Sequence, residues 1–146
     1  MMPKRMNSAR GYIASGDFRG NRVPQHIQNQ IIKLFCDQND LNFVLSRAEY
    51  WINGSTDCQL WAALKEGFNH VVFYSLWQLP ENDSLRQKIY AFCFTHDIIL
   101  HFAVERLSVP VQKNGFSDIE ILLLTNQLIS QDINYDFHLD ALIKLL

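Results

Sequence analysis

Long apolar runs, cysteine pairs and an excess of either charge are all missing from this sequence of 146 residues. No apolar run approaches the roughly 18 residues of a membrane-spanning helix, so no membrane partner is expected. The formal net charge is −2, which argues against nucleic acid as a partner. The first ten residues are basic but no apolar signal core follows them, so a cytoplasmic location is expected.

The cysteines are few and widely spaced. Cys36, Cys58 and Cys93 form no C-x-x-C pair, and each lies in an apolar or helical stretch. This pattern is typical of reduced, packed thiols, with a catalytic thiol as the alternative. The five histidines show no spacing typical of zinc ligands. The sequence therefore predicts no metal site and no cofactor.

What the chain does have is a folded composition with alternating periodicity. Apolar residues make up 48% and charged residues 19% of the chain, which excludes intrinsic disorder. Strands are predicted over 10–15, 41–45, 70–75 and 98–104, and helices over 24–36, 57–66, 83–95, 117–130 and 135–146. This alternation predicts an α/β fold: a doubly wound, open parallel sheet of about four strands with helices on both faces, plus C-terminal helices.

Three segments are expected along the chain. Residues 1–9 form a basic N-terminal tail, residues 10–107 the α/β core, and residues 108–146 a helical extension. Residues 117–146 are leucine-rich and carry five acidic side chains against one lysine, a net charge of −4. We expect this extension to pack on the core or on a partner, and a homodimer through the C-terminal helices is one form of that prediction.

Polar side chains cluster where the predicted strands end. Ligands of open parallel sheets bind beyond the carboxyl ends of the strands, near the point where strand order reverses. The side chains found there are Ser15, Arg19 and Arg22 after the first strand, Ser46, Glu49 and Tyr50 after the second, Ser75 and Gln78 after the third, and His101 and Glu105 within and after the fourth. A shared ligand site at this edge is therefore expected.

The loop after the first strand favours an anion. Arg19 and Arg22 precede Pro24, which is predicted as the first residue of a helix, and Val23 offers no capping side chain. The free N–H groups of residues 25–27 would then face a phosphate or a sugar carboxylate. The alternative is a surface loop with solvated or internally paired arginines. The Gly-Lys-Ser/Thr ending of a phosphate-binding P-loop is absent.

Other residues complete the predicted site. Arg10 would help hold the anion, while Gln25 and Asn29 share a helix face beside the loop. Glu49, His101 and Glu105 are the candidate proton-transfer groups. The alternatives are an exposed loop carboxylate for Glu49 and a core histidine bonded to tyrosine or backbone for His101. Stacking on a sugar or a base is possible for four aromatic side chains, although strand aromatics are often core: Tyr12, Tyr50, Tyr74 and Trp77.

Two resemblances follow from particular residues. Residues 11–15 (GYIAS), the glutamine-containing helix, residues 75–79 (SLWQL) and a fourth strand ending in Glu105 resemble the catalytic domain of serine recombinases, the resolvases and invertases. The resemblance implies their fold. Ala14 stands where the family has an arginine, Gly16 where it has the nucleophilic serine, and residues 76–81 lack both of its arginines. Since that reaction needs these cations, DNA strand exchange is excluded.

The second resemblance covers about residues 10–107. The blocks RGYI (10–13), RVPQH (22–26), QN (28–29), LS (45–46), EY (49–50), FYSL (73–76), LP (79–80) and HFAxE (101–105) resemble the bacterial sporadic carbohydrate cluster proteins. That family is found among genes for surface polysaccharides, so the resemblance implies lipopolysaccharide, capsule or related glycan synthesis. It implies no particular reaction.

Two functions are therefore expected as alternatives. In the first, the protein binds an anionic sugar metabolite, namely a sugar phosphate, a nucleotide sugar or a sugar acid. If it also transforms this ligand, isomerisation, elimination and group transfer all fit. In the second, it is a non-catalytic resolvase-like scaffold or regulatory module for a carbohydrate-synthesis partner.

Overall fold

The computed structural model describes residues 5–18, 22–50, 58–110 and 115–130. The chain divides into two compact units, Met1–Lys113 and Asn114–Leu146. The second unit contains the described helix α4 (Ser117–Ser130), with the bounds that the apolar periodicity predicts. The helix predicted over 135–146 lies outside the described residues.

The first unit is a mixed α/β structure, which confirms the predicted class. Its described elements in chain order are β1 (Arg5–Ser15), α1 (Gln25–Gln38), β2 (Asn42–Tyr50), α2 (Cys58–Leu64), β3 (Phe68–Phe73), a 3-10 turn (Leu76–Gln78), α3 (Asp83–Thr95), β4 (Ile99–Phe102) and β5 (Leu107–Val109). The strands form one sheet in the order β2-β1-β3-β4-β5. β1 to β4 pair in parallel and β5 pairs antiparallel with β4.

The strand count differs from the expectation of about four parallel strands. The missed strand, β5, has three residues, and it follows a tight turn in which Arg106 has a φ of 55°. A three-residue strand is too short to produce a recognisable alternation of apolar residues. The hairpin geometry, rather than the local pattern, forms this strand.

Two strands are longer than the sequence indicates. β1 begins at Arg5, inside the predicted basic tail. β2 continues to Tyr50, so Ser46, Glu49 and Tyr50 lie within the strand, not in the predicted loop after it. Charged residues end the apolar run of β2, yet Glu49 is buried because the side chain of Tyr12 and the start of α2 supply its hydrogen-bond donors.

Helices cover both faces of the centre of the sheet. Ile13 on β1 belongs to a core cluster with Ile32 and Phe35 of α1. The preceding residue, Tyr12, points to the opposite face, where its hydroxyl bonds Glu49 at 3.1 Å beside the start of α2. Because α1 leads to β2 on one side of β1 and α2 leads to β3 on the other, the strand order reverses between β1 and β3.

The start of α1 lies one residue later than expected. Pro24 is the N-cap, with extended backbone (φ −55°, ψ 142°), rather than the first helical residue. Its carbonyl oxygen accepts hydrogen bonds from the amides of Ile27 and Gln28, both at 3.1 Å, so the prediction that the N–H of Ile27 is free for an anion is wrong. The sequence predicted Val23 as a cap residue without a capping side chain. The structure has Pro24 at the cap, and Pro24 also makes no side-chain capping hydrogen bond.

The cysteines are free thiols in two environments. Cys36 and Cys93 are buried, and burial raises their pKa to about 11 and about 12, so both stay protonated. Cys58 is exposed, so the prediction of a packed thiol is wrong there. None of the helices described here is long and apolar enough to cross a membrane.

Gly11 allows β1 and β2 to approach closely at an irregularity in their register. A Cβ atom there would lie 2.1 Å from Ser46 Oγ and 2.9 Å from Phe43 Cε2. We therefore expect Gly11→Ala to lower the free energy of unfolding by about 1–3 kcal/mol. Urea denaturation measures this change.

Ser46→Ala removes the nearest clashing atom, so the double variant should be more stable than the sum of the two single changes predicts. Gly67→Ala is the control for a glycine-to-alanine change without a steric clash. A Cβ at Gly67 meets nothing within 4 Å, so any loss of stability there comes from the φ of 91° alone. Strict additivity between Gly11→Ala and Ser46→Ala would contradict the steric explanation.

Candidate functional site

One buried carboxamide joins three segments at the point where the strand order reverses. Gln28 of α1 is fully buried, and its Oε1 accepts from Ala14 N–H at 3.0 Å and from Gln78 Nε2 at 2.8 Å. Its Nε2 donates to the carbonyl oxygens of Ala14 at 2.9 Å and Val23 at 2.8 Å. Both donors and both acceptor positions of the carboxamide are therefore used.

The hydrogen bonds continue from Gln78 towards the end of β4. Gln78 Oε1 accepts from Tyr74 N–H at 3.1 Å. Ser75 Oγ donates to Glu105 Oε2 at 2.8 Å, and Leu76 N–H donates to Glu105 Oε1 at 2.9 Å. We call Gln28, Gln78, Ser75 and Glu105 the carboxyl-edge network, since these four side chains connect the ends of β1, β3 and β4.

The predicted anion loop lies beside this network. Arg22 is exposed, and none of the salt bridges among described residues includes it. Ser15 and Gln25 are half-buried at the same edge. The Oδ1 atom of Asn29 is buried and has no hydrogen-bond partner in the structure. Arg19 lies outside the described residues.

Glu49 pairs with Ala14 near the end of β2, but its side chain points to the α2 face and does not join the carboxyl-edge network. The carboxylate is 4% exposed and accepts from the hydroxyl of Tyr12 at 3.1 Å, from Gln59 N–H at 3.1 Å and from Leu60 N–H at 3.3 Å. The alternative of an exposed loop carboxylate is therefore wrong. Its neighbour Tyr50, at the end of the edge strand β2, is 64% exposed.

The side chain of Arg10 is also held by contacts within the protein. Its Nη2 donates to Glu66 Oε2 at 2.6 Å, and its guanidinium lies 4.8 Å from the centre of the Phe68 ring. Arg47 binds the other oxygen of the same carboxylate. Arg10 lies within β1 rather than at its end, so the structure does not bring it to Arg22. Ser46 Oγ lies beside Gly11 and is buried without a partner.

His101 is a buried core histidine, as one of the two interpretations predicts, but its partners differ from those expected. Its Nε2 lies 2.9 Å from Nδ1 of His70, and its Nδ1 lies 2.7 Å from Ser108 Oγ. Burial, and then the charge of His70, lower the pKa of His101 to about 3. Burial also lowers the pKa of His70. His101 is therefore neutral at ordinary pH, in the middle of β4.

The structure brings some predicted site residues together and separates others. Ser75, Gln78 and Glu105 converge, whereas Glu49 and His101 do not join them. Sequence reasoning missed the central residue, Gln28. Its signal was a glutamine four residues before Ile32, on the buried stripe of α1.

Comparisons with known proteins support the fold alone. No protein family model matches the chain, and no curated protein matches it. Among solved structures, a resolvase family site-specific recombinase from Streptococcus pneumoniae is similar, with a TM-score of 0.58 and 14% identity over 94% of this chain and 97% of that chain. The fold is therefore resolvase-like. None of these comparisons supports the resemblance to carbohydrate cluster proteins.

We expect Gln28→Leu to destabilise the protein by about 3 kcal/mol or more, because it leaves four buried polar groups without their partner. Gln30→Leu, on the exposed side of the same helix, should change stability by less than about 0.5 kcal/mol. Urea denaturation of the two variants measures the difference. Equal stabilities would show that the carboxamide does not hold this edge together.

The histidine pair predicts acid sensitivity. Burial lowers the pKa of both His70 and His101 in the folded protein, whereas both histidines of the unfolded chain bind protons below a pH of about 6.5. Stability should therefore fall as pH drops from about 6.5 towards 3, by up to about 1.4 kcal/mol per pH unit for one proton. His101→Gln should flatten this slope in denaturation series, and His96→Gln on the surface should not. Identical slopes in both variants would contradict the assignment.

Proposed function

We propose that this protein binds an anionic sugar metabolite at the carboxyl edge of β1 and β3, and that it acts in bacterial surface-carbohydrate synthesis in the cytoplasm. The observation that carries the binding proposal is the carboxyl-edge network with the unpaired Arg22 beside it. Ligands of such sheets bind where the strand order reverses. The carbohydrate context rests on the sequence blocks between residues 10 and 107.

The anionic part of the ligand belongs at Arg22. The Gln28 carboxamide holds the carbonyl oxygen of Val23, so the segment between Arg22 and α1 is fixed to the sheet. α1 begins at Gln25 and its N-cap, Pro24, has no capping side chain, so the positive end of the helix can attract an anion. A guanidinium can bind phosphate or carboxylate through two parallel hydrogen bonds.

Recognition is better supported than proton transfer. Glu49 and His101 are held inside the protein, and His101 is too weak a base to act near neutral pH. Glu105 is the candidate proton-transfer group that reaches the edge, and both of its oxygen atoms accept internal hydrogen bonds. We therefore assign Glu105 to ligand binding first.

The non-catalytic scaffold is the second candidate. It is favoured by Ala14 and Gly16, which occupy the positions of the recombinase arginine and nucleophile in the sequence resemblance. Leu122 and Leu124 of α4 are 39% and 43% exposed, so α4 has apolar side chains that a second copy could cover. This candidate predicts no ligand at the carboxyl edge.

Arg22→Ala should weaken the affinity for inorganic phosphate and for sugar phosphates by at least about tenfold, because a charge-assisted bidentate contact is lost. Lys33→Ala, an exposed change on the same helix, is the control for a general loss of positive charge. Isothermal titration calorimetry measures both variants. Ligand affinity that Arg22→Ala leaves unchanged would contradict the anion site, and no binding by the unchanged protein would favour the scaffold.

A further inference from the structure

Tyr74 presents an aromatic ring at the carboxyl edge on a fixed backbone. Its N–H donates to the carbonyl oxygen of Tyr12 at 3.2 Å and to Gln78 Oε1 at 3.1 Å, and its own carbonyl oxygen accepts from Val104 N–H at 2.9 Å. The ring is half-buried, and Phe18 meets it edge-on with 6.1 Å between ring centres. The side chain is therefore anchored yet accessible.

The neighbouring carboxylate has unused acceptor positions. Each oxygen of Glu105 accepts one hydrogen bond, from Ser75 Oγ and from Leu76 N–H. A carboxylate oxygen has two acceptor positions, so one remains open on each. Both donors are neutral, and no salt bridge among the described residues includes Glu105. Glu105 follows Val104, whose N–H donates to the carbonyl oxygen of Tyr74, and burial and then the charge of Glu105 raise the pKa of the Tyr74 phenol.

We propose that Tyr74 and Glu105 form a sugar-ring subsite, in which a pyranose stacks on Tyr74 and donates two adjacent hydroxyls to Glu105. This inference rests on the proposed function and adds the recognition of the uncharged part of the ligand. The C–H face of a pyranose packs on an aromatic ring, while its hydroxyls need polar acceptors. Two open acceptor positions on one carboxylate match two neighbouring hydroxyls.

Tyr12 and Tyr50 fit this role less well. Tyr12 is fully buried between the sheet and α2, and Tyr50 lies at the end of the edge strand β2, away from β3.

The charge of Glu105 also excludes a phosphate beside it, because two anions at close range repel each other. The anionic group of the ligand therefore binds Arg22, and its sugar ring packs on Tyr74.

Calorimetry with inorganic phosphate and with the 1-phosphates of glucose, galactose and mannose tests the subsite. At least one hexose 1-phosphate should bind about tenfold more tightly than phosphate, because its ring adds stacking and hydrogen bonds. Tyr74→Ala should remove most of this gain without weakening phosphate binding, and Glu105→Gln should also remove most of the gain. Tyr74→Phe, which keeps the aromatic face, and Phe94→Ala, on the exposed surface of α3, should retain it.

The outcomes separate this inference from the function on which it rests. If phosphate binds and the gain from the sugar survives both Tyr74→Ala and Glu105→Gln, the subsite is wrong and the anion site stands. The subsite is also wrong if no hexose 1-phosphate binds more tightly than phosphate. If neither ligand binds, the proposed function itself fails. Should Tyr74→Ala not fold by circular dichroism, Tyr74→Leu replaces it, since leucine keeps bulk without an aromatic face.

Discussion

The carboxyl edge of this sheet depends on the need to satisfy a buried strand end. β1 is an inner strand between β2 and β3, and Ala14 is fully buried where the strand is about to end. Leaving the N–H and C=O of Ala14 unpaired would cost several kcal/mol in total, on the order of 1–3 each. The Gln28 carboxamide meets both, as a neighbouring strand would. Its other two bonds then fix the segment before α1 and the turn after β3.

The charged side chains fall into two groups, those bound within the protein and those left at the carboxyl edge. Inside the first unit, ionic groups are held by one another or by amides: Arg10 and Arg47 share Glu66, and Glu49 accepts from Tyr12 and the start of α2. These contacts stabilise strand pairing and helix packing. Arg22 and Glu105 differ, because the network fixes the backbone around them and leaves charge unpaired at the edge. A ligand with an anionic group and hydroxyls would match this edge, because Arg22 supplies a positive charge and Glu105 supplies hydrogen-bond acceptors.

The sequence predicted the features that local periodicity encodes. The apolar stripe of α4 gave its bounds, and the run of residues 70–75 located β3 to within two residues. The sequence analysis did not predict β5 or the second half of β2, because the formation of these strands depends on partners distant along the chain. The same limit applies to the site. Ser75, Gln78 and Glu105 could be placed at the edge from strand ends alone, whereas the contact of His101 with His70 depends on the pairing of β3 with β4.

Gln28 shows most clearly why the rest was not predictable. A glutamine at a buried helical position is indistinguishable in sequence from one at a half-exposed position, and its four partners come from three separate segments. The fully buried Ala14 is part of the same arrangement. An arginine at residue 14, as in the recombinase pattern, would point to the same face as Tyr12 and would need space that the fully buried Ala14 site does not offer. Restoring the recombinase arginine alone would therefore disrupt the packing that holds this edge together, rather than restore strand-exchange chemistry.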